Sequence, residues 1–154
     1  MSNPLLLQLD NFLPYRLSVL TNLVSTAIAG AYRERFGLSI PAWRVLAVLA
    51  NYPDLSAAEV AQRTAMDKVA VSRAVGSLLK EGRLERRVAR ADLRRSVLRL
   101  TAAGRRVHGA VAPFALAYER ALIKPLTRAE RMALDRALHI LLGRAIEIGP
   151  LTKR

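Results

Sequence analysis

Lys68, Ser72 and Arg73 recur at helical spacing in one short segment, and six arginines (Arg86, Arg87, Arg90, Arg94, Arg95 and Arg99) follow within 14 residues, 86–99. A guanidinium is a planar fork of donors. It matches guanine O6 and N7, or a phosphate, with two parallel hydrogen bonds, and a serine hydroxyl serves a base edge or a phosphate. Arginine is also the side chain that inserts into narrow minor grooves. Between Arg63 and Arg99 stand 11 basic and 4 acidic side chains, a net of +7. The chemistry within reach of these residues is recognition of a polyanion. No nucleophile–base pair, Gly-rich phosphate loop or purposeful carboxylate pair suggests a covalent step, so no enzymatic activity is expected.

Residues of this kind need elements that aim them, and the segment 56–104 has the pattern: SAAEVAQRTAMDKVAVSRAVGSLLKEGRLERRVARADLRRSVLRLTAAG. Ser56-Ala57-Ala58-Glu59 is a capping box, in which the serine oxygen accepts the Glu59 N–H and the carboxylate reaches back. The helix it opens ends near Thr64. Asp67 caps the next helix, which runs to about Glu81 and stops on Gly82. With Val71, Val75, Leu78 and Leu79 turned inward, Lys68, Ser72 and Arg73 face out near the N-terminal end, the end of a reading helix that meets base edges. Residues 84–88 and 96–100 read as paired strands with a basic loop between them. Helix, tight turn, helix and β-wing in this order form a winged helix-turn-helix, which places one helix in the major groove of duplex DNA.

The candidate DNA-binding set is therefore Ser56, Lys68, Ala70, Ser72, Arg73, Ser77, Arg86, Arg90, Asp92, Arg94 and Arg95. Arg73 either reads a base or only holds a phosphate. Asp92 is expected to orient Arg94, and Arg94 to enter the minor groove; the alternative is a solvated wing with phosphate contacts alone. Gly76 sits mid-helix, where glycine costs about 1 kcal/mol against alanine. Close approach of the DNA backbone, a packing neighbour or simple drift would each account for it.

The rest of the chain reads as helices. The spacing of Leu13, Leu17, Leu20, Val24, Ile28 and Ala31 predicts a helix over about 12–35, with Gly37 as its stop. A second helix follows over about 41–51, begun by Pro41 and broken by Tyr52-Pro53-Asp54. A long helix opens at Thr101, with Val107, Val111, Phe114, Tyr118 and Leu122 on one side, and Pro113 should kink it. Thr127-Arg128-Ala129-Glu130 is a second capping box before the last helix, which carries Leu134, Leu138, Leu141, Ala145 and Ile146. The expected class is mostly α with a minor β part. One domain spans 1–154, with a winged helix-turn-helix lobe over 39–100 and a helical dimerisation lobe made from 1–38 and 101–154. The apolar stripes at both chain ends favour an interlocked homodimer over a wrap around one lobe. A two-fold dimer presents two reading helices to a palindromic site.

Composition agrees. The 154 residues are 52% hydrophobic and only 5% aromatic, with a net charge of +13. Such charge fits a nucleic-acid partner better than a merely solvated face when the arginines cluster. With no cysteine, disulfides, thiolate zinc sites and thiol redox sensing are excluded. His108 and His139 lack metal-ligand spacing and read as structural, and no cofactor is expected. MSNPLLLQLDN has no basic n-region followed by a long apolar run, so no signal peptide is expected. The uncharged stretch between Arg16 and Arg33 is interrupted by polar residues, and a cytoplasmic protein with no membrane partner is expected.

From residue 15 to 145 the chain resembles the multiple-antibiotic-resistance regulator (MarR) family. The residues that carry the likeness are Trp43, Ser72-Arg73, Gly82, Asp92-Leu93-Arg94, and Leu100-Thr101 with Gly104. The resemblance implies a dimeric winged-helix repressor released from a palindromic operator by a small ligand. Three positions depart: Ala42, where relatives often have Gln or Glu; Arg83, where an apolar residue is usual; and Gly76, where a larger one is. Arg83 adds a phosphate contact or is solvated. Family ligand sites suggest a corner drawn from Tyr15, Arg16, Trp43, Arg44 and His108, suited to an aromatic acid or an acyl thioester. Equally, Tyr15 and Trp43 are core, and Arg16 and Arg44 pair with acids or DNA. The competing function is a ligand-independent architectural DNA-binding protein, which would coat any duplex rather than protect one palindrome.

Overall fold

Local signals set most of the element boundaries in the computed structural model, which describes residues 7–150. Residues 1–6 and 151–154, on which part of the expected end-to-end lobe and most of the chain-start reading fall, lie outside the described residues. After a single 3-10 turn come α1 (Leu13–Ala29), α2 (Arg33–Phe36), α3 (Ile40–Asn51), α4 (Ala57–Thr64) and α5 (Lys68–Lys80). The wing strands β1 (Leu84–Val88) and β2 (Ser96–Leu100) follow, then α6 (Ala102–Ile123) and α7 (Arg128–Ile148). The protein is mostly helical with one antiparallel two-stranded sheet.

Both capping boxes form. Ser56 Oγ accepts the Glu59 N–H at 3.2 Å while Glu59 accepts the Ser56 N–H at 2.7 Å. Thr127 and Glu130 repeat the arrangement at the start of α7. Asp67 Oδ1 accepts from Val69 and Ala70 N–H at 2.9 and 3.0 Å and so satisfies two orphan donors of α5. Ser39 caps α3 in the same way. Gly82, at φ 67°, takes the left-handed conformation that lets α5 turn into β1.

The first helix is not continuous over 12–35. It stops at Ala29, and the chain turns through Gly30 to Tyr32 before the short α2. The turn carries Tyr32 into the core, where only 1% of it stays exposed and its ring stacks on Trp43. Helical periodicity over 13–31 cannot reveal such a break, because burying one large aromatic outweighs the few hydrogen bonds lost.

The core joins Val45, Leu46 and Leu49 of α3, Val60 of α4, Val71, Val75 and Leu78 of α5, Leu84, Leu98 and Leu100 of the wing, and Val107 and Val111 of α6. Each fully buried aliphatic side chain contributes about 1.5–3 kcal/mol, so this cluster is what fixes α5 and the wing to one frame. A further tie was not evident from the sequence. Leu55 and Leu98 form a β-bridge, and Leu98 N–H donates to Leu55 O at 2.8 Å, so the wing is anchored to the α3–α4 connection.

The chain divides into two compact units after Ala115. The first holds α1 to α5, the wing and the start of α6. The second holds the end of α6 and α7, and α7 buries none of its residues. The helix α6 runs without interruption across Pro113, which removes one backbone donor. No helix among the described residues is long and apolar enough to cross a membrane.

Candidate nucleic-acid interface

The buried face of α5 is set by Val71, Ala74, Val75 and Leu78. Opposite it, Val69, Arg73, Gly76 and Lys80 follow at i, i+4, i+7 and i+11 and are all exposed. Lys68 and Ser72 flank this line and are also exposed, whereas Ala70 is half-buried and Ser77 is exposed. Ala70, Arg73 and Ser77 line a shallow cleft with Ser39 and Pro41 from the start of α3. That neighbourhood joins residues 29 to 38 apart in sequence and could not be read from local pattern. Nothing lies within 4 Å of a Cβ built on Gly76, so no packing neighbour in the chain accounts for that glycine.

The wing carries its arginines in two classes. Arg99 Nε donates to Asp54 Oδ1 at 2.8 Å and its Nη2 pairs with Oδ2. Arg95 pairs with Glu59, and Arg87 Nη2 lies 2.7 Å from Glu85. Arg83 Nη2 donates to Phe36 O at 2.7 Å, and its Nη1 lies 2.9 Å from Glu81. Arg83 is therefore neither a phosphate contact nor a solvated side chain: it ties the α5–β1 turn to the end of α2. Arg63 covers the ring of Tyr52 at 3.7 Å. By contrast, Lys68, Arg73, Arg86, Arg90 and Arg94 have no acid partner among the described residues. The acids near the wing are all used internally, in caps, pairs or turns, while these five cations of α5 and the wing have none.

Asp92 Oδ1 accepts the Arg94 backbone N–H at 3.0 Å, and Asp92 O accepts the Arg95 N–H at 3.0 Å. The carboxylate thus organises the loop backbone and makes no ion pair with the Arg94 guanidinium. A side chain two residues ahead reaches a backbone N–H more readily than the far end of a long arginine. Ser56 is occupied as a helix cap, and Ser77 Oγ donates to Glu81 at 2.9 Å, so both hydroxyls already have work in the fold.

Glu59 joins helix cap and wing. The Ser56 backbone N–H, then Arg95, then the Ser56 hydroxyl push its carboxyl down to about 2. A carboxyl lowered on folding stabilises the protein above its ordinary range, and that contribution disappears as pH falls from about 4.5 toward 2. In Glu59→Gln, thermal unfolding should depend less on pH across that interval than in the wild type. Parallel pH profiles for the two proteins would contradict the role assigned to Glu59.

The five residues of the expected ligand corner separate. Trp43 stacks between Tyr32 and His108, each at a centroid distance of 5.6 Å. Burial holds the His108 pKa below its ordinary value, favouring the neutral ring. Arg44 Nη2 donates to Ser25 Oγ at 2.9 Å. Tyr15 and Arg16 instead line an open groove along α1 with Asp10, Val19, Leu20 and Leu23. The chain does not bring them to the aromatic stack: ten residues of helix, about 15 Å, separate Tyr15 from Ser25. Ala42, one of the departing positions, is 4% exposed and belongs to the core.

The MarR family model matches residues 36–95, from the end of α2 to the wing loop. The same winged fold with its flanking helices is found in the crystal structure of a MarR/EmrR family transcriptional regulator from Acinetobacter sp. ADP1. It is 26% identical, with a TM-score of 0.83 over 92% of this chain and 99% of that one. Over residues 36–95 the chain is similar to the MarR family, and its fold is that of MarR-family regulators. The S. aureus MepR–DNA complex has the fold at 18% identity and a TM-score of 0.78, covering 88% of this chain and 97% of that one. PcaV from Streptomyces coelicolor, in complex with its natural ligand, has it at 22% identity and a TM-score of 0.75, covering 91% and 98%. No curated protein sequence matches. The Acinetobacter protein is a MarR/EmrR family transcriptional regulator, and the region of this chain that the family model matches contains α5, the first wing strand and the wing loop.

Proposed function

We propose that the protein is a cytoplasmic, homodimeric, sequence-specific DNA-binding repressor that leaves a palindromic operator when a small aromatic acid or acyl thioester binds. The observation that carries the DNA-binding part is the division of cations. Acids neutralise Arg83, Arg87, Arg95 and Arg99 within the chain, while Lys68, Arg73, Arg86, Arg90 and Arg94 are left for a polyanion. MepR, which has the same fold, is seen bound to DNA. Dimerisation is supported by apolar surface that a single chain leaves open. Leu13, Leu17, Leu20 and Leu23 on α1, and Leu134, Leu138, Leu141 and Ile146 on α7, are each at least 40% exposed. An exposed apolar stripe of this kind on a helix marks an interface. The expected lobes, 39–100 for DNA and both chain ends for dimerisation, follow from this division of labour. Ligand release is supported by the Tyr32–Trp43–His108 stack, a flat surface for an aromatic ring, with Arg44 nearby for an acid group, and by PcaV, which holds its natural ligand in the same fold.

Sedimentation at micromolar concentration should give twice the chain mass, and duplexes selected from random sequence should converge on one palindrome with a short footprint. A soluble monomer would remove the dimer. Length-dependent coating of any duplex would favour an architectural protein instead. Aromatic acids and their thioesters, screened against the selected complex, should include one that releases it.

A further inference from the structure

Between residues 53 and 87, Val69 is exposed to 57%, while Val60, Val71, Val75, Leu78 and Leu84 are buried. No other large hydrophobic side chain in that interval is exposed. Its place is as informative as its exposure. Val69 lies on the first turn of α5, where the Asp67 carboxylate holds its N–H at 2.9 Å, and it heads the outward line that continues through Arg73 and Gly76. A valine in a helix has one dominant χ1 rotamer, so it loses little entropy on making a contact. Its side chain is short, so the helix must seat deeply for it to reach a base. Gly76, further along the same line with open space where a Cβ would be, removes one obstacle to that approach. The apolar feature of the major groove is the thymine 5-methyl group.

We propose that Val69 is a specificity-determining residue that recognises a thymine through its 5-methyl group. The thymine would lie about two base-pair steps from the base or phosphate met by Arg73, since four residues of helix rise about 6 Å. The inference rests on the DNA-binding reading above. Phosphate contacts alone would leave an outward valine on the reading helix with nothing to bind.

The test uses the selected palindrome, with each thymine replaced in turn by deoxyuridine, which lacks only the methyl group. Wild-type protein should lose roughly fourfold in affinity at one thymine per half-site, the worth of one buried methyl. Val69→Ala, a change at an exposed position, should lose that penalty there and keep the wild-type profile at every other thymine. Superimposable uracil profiles for the two proteins, or no penalty at any thymine in the wild type, would overturn the proposal while leaving sequence-specific binding intact. If neither protein prefers the selected duplex over a scrambled one, the DNA-regulator reading itself fails, and the role of Val69 with it.

Discussion

Raising monovalent salt from 50 to 200 mM should weaken binding to the selected duplex by about 10³–10⁵-fold, because six to ten phosphate contacts release that many counterions. The count comes from the cations without acid partners in the N-terminal half of α5 and on the wing. Lys68, Arg73, Arg86, Arg90 and Arg94 number five in one chain, and two chains offer ten. The log–log slope should lie between about −5 and −9, at about −0.9 per contact. Anisotropy titrations at four or five salt concentrations measure it, and a slope shallower than about −2 would rule out the interface. Single substitutions test the division itself. Arg90→Ala should make the slope shallower by about 1 per chain. Arg87→Ala, which removes an arginine already paired with Glu85 at 2.7 Å, should leave it nearly unchanged. Equal effects of the two would show that the internal pairs dissolve on DNA and that total charge, not its arrangement, governs binding.

Gly104→Ala should destabilise the fold by about 3 kcal/mol, at the upper end of the cost of overpacking. A Cβ at this position would lie 2.1 Å from the Arg83 carbonyl oxygen and 3.3 Å from a Leu100 methyl. That oxygen is not free to move aside, since it accepts the Thr101 N–H at 3.1 Å. Thr101 Oγ1 in turn donates to Gly82 O at 2.6 Å and accepts the Gly104 N–H at 3.1 Å. The methyl group would therefore wedge apart the junction where β2 enters α6 and α5 turns into β1. At about 2–4 °C per kcal/mol for a chain of this size, the midpoint of thermal unfolding should fall by about 6–12 °C, compared at equal protein concentration. Gly76→Ala makes the same chemical change on open helix surface and should be stabilising by up to about 1 kcal/mol. Equal midpoints for Gly104→Ala and the wild type would mean that the close contact is relieved cheaply.

The features legible in the order of residues alone are local. The Ser56–Glu59 and Thr127–Glu130 capping boxes, the Asp67 cap, the Gly82 stop and the bounds of both wing strands were legible, because each depends on residues within one turn of helix or one pleat of strand. The outward placement of Lys68, Ser72 and Arg73 was legible for the same reason: a 3.6-residue period with four buried positions leaves only one face for them. The order of these elements was also enough to find the resemblance to MarR-family regulators.

Which charges and rings meet depends on the folded chain. A sequence gives a number of arginines but not their partners. Arg83 reaches the Phe36 carbonyl 47 residues away, and Arg99 reaches Asp54 45 residues away. Asp92 holds Arg94 by its backbone N–H and not by its guanidinium, a choice that closeness in sequence does not make. The break after Ala29 and the requirement for glycine at 104 were hidden in the same way. Each is imposed by a distant group, the Trp43 ring in one case and the Arg83 carbonyl in the other. Local hydrogen bonds and periodicity act over three or four residues and leave their mark in the order of the letters. Pairing and packing across closed loops depend on where the whole core holds each element, and that is settled only when the chain is folded.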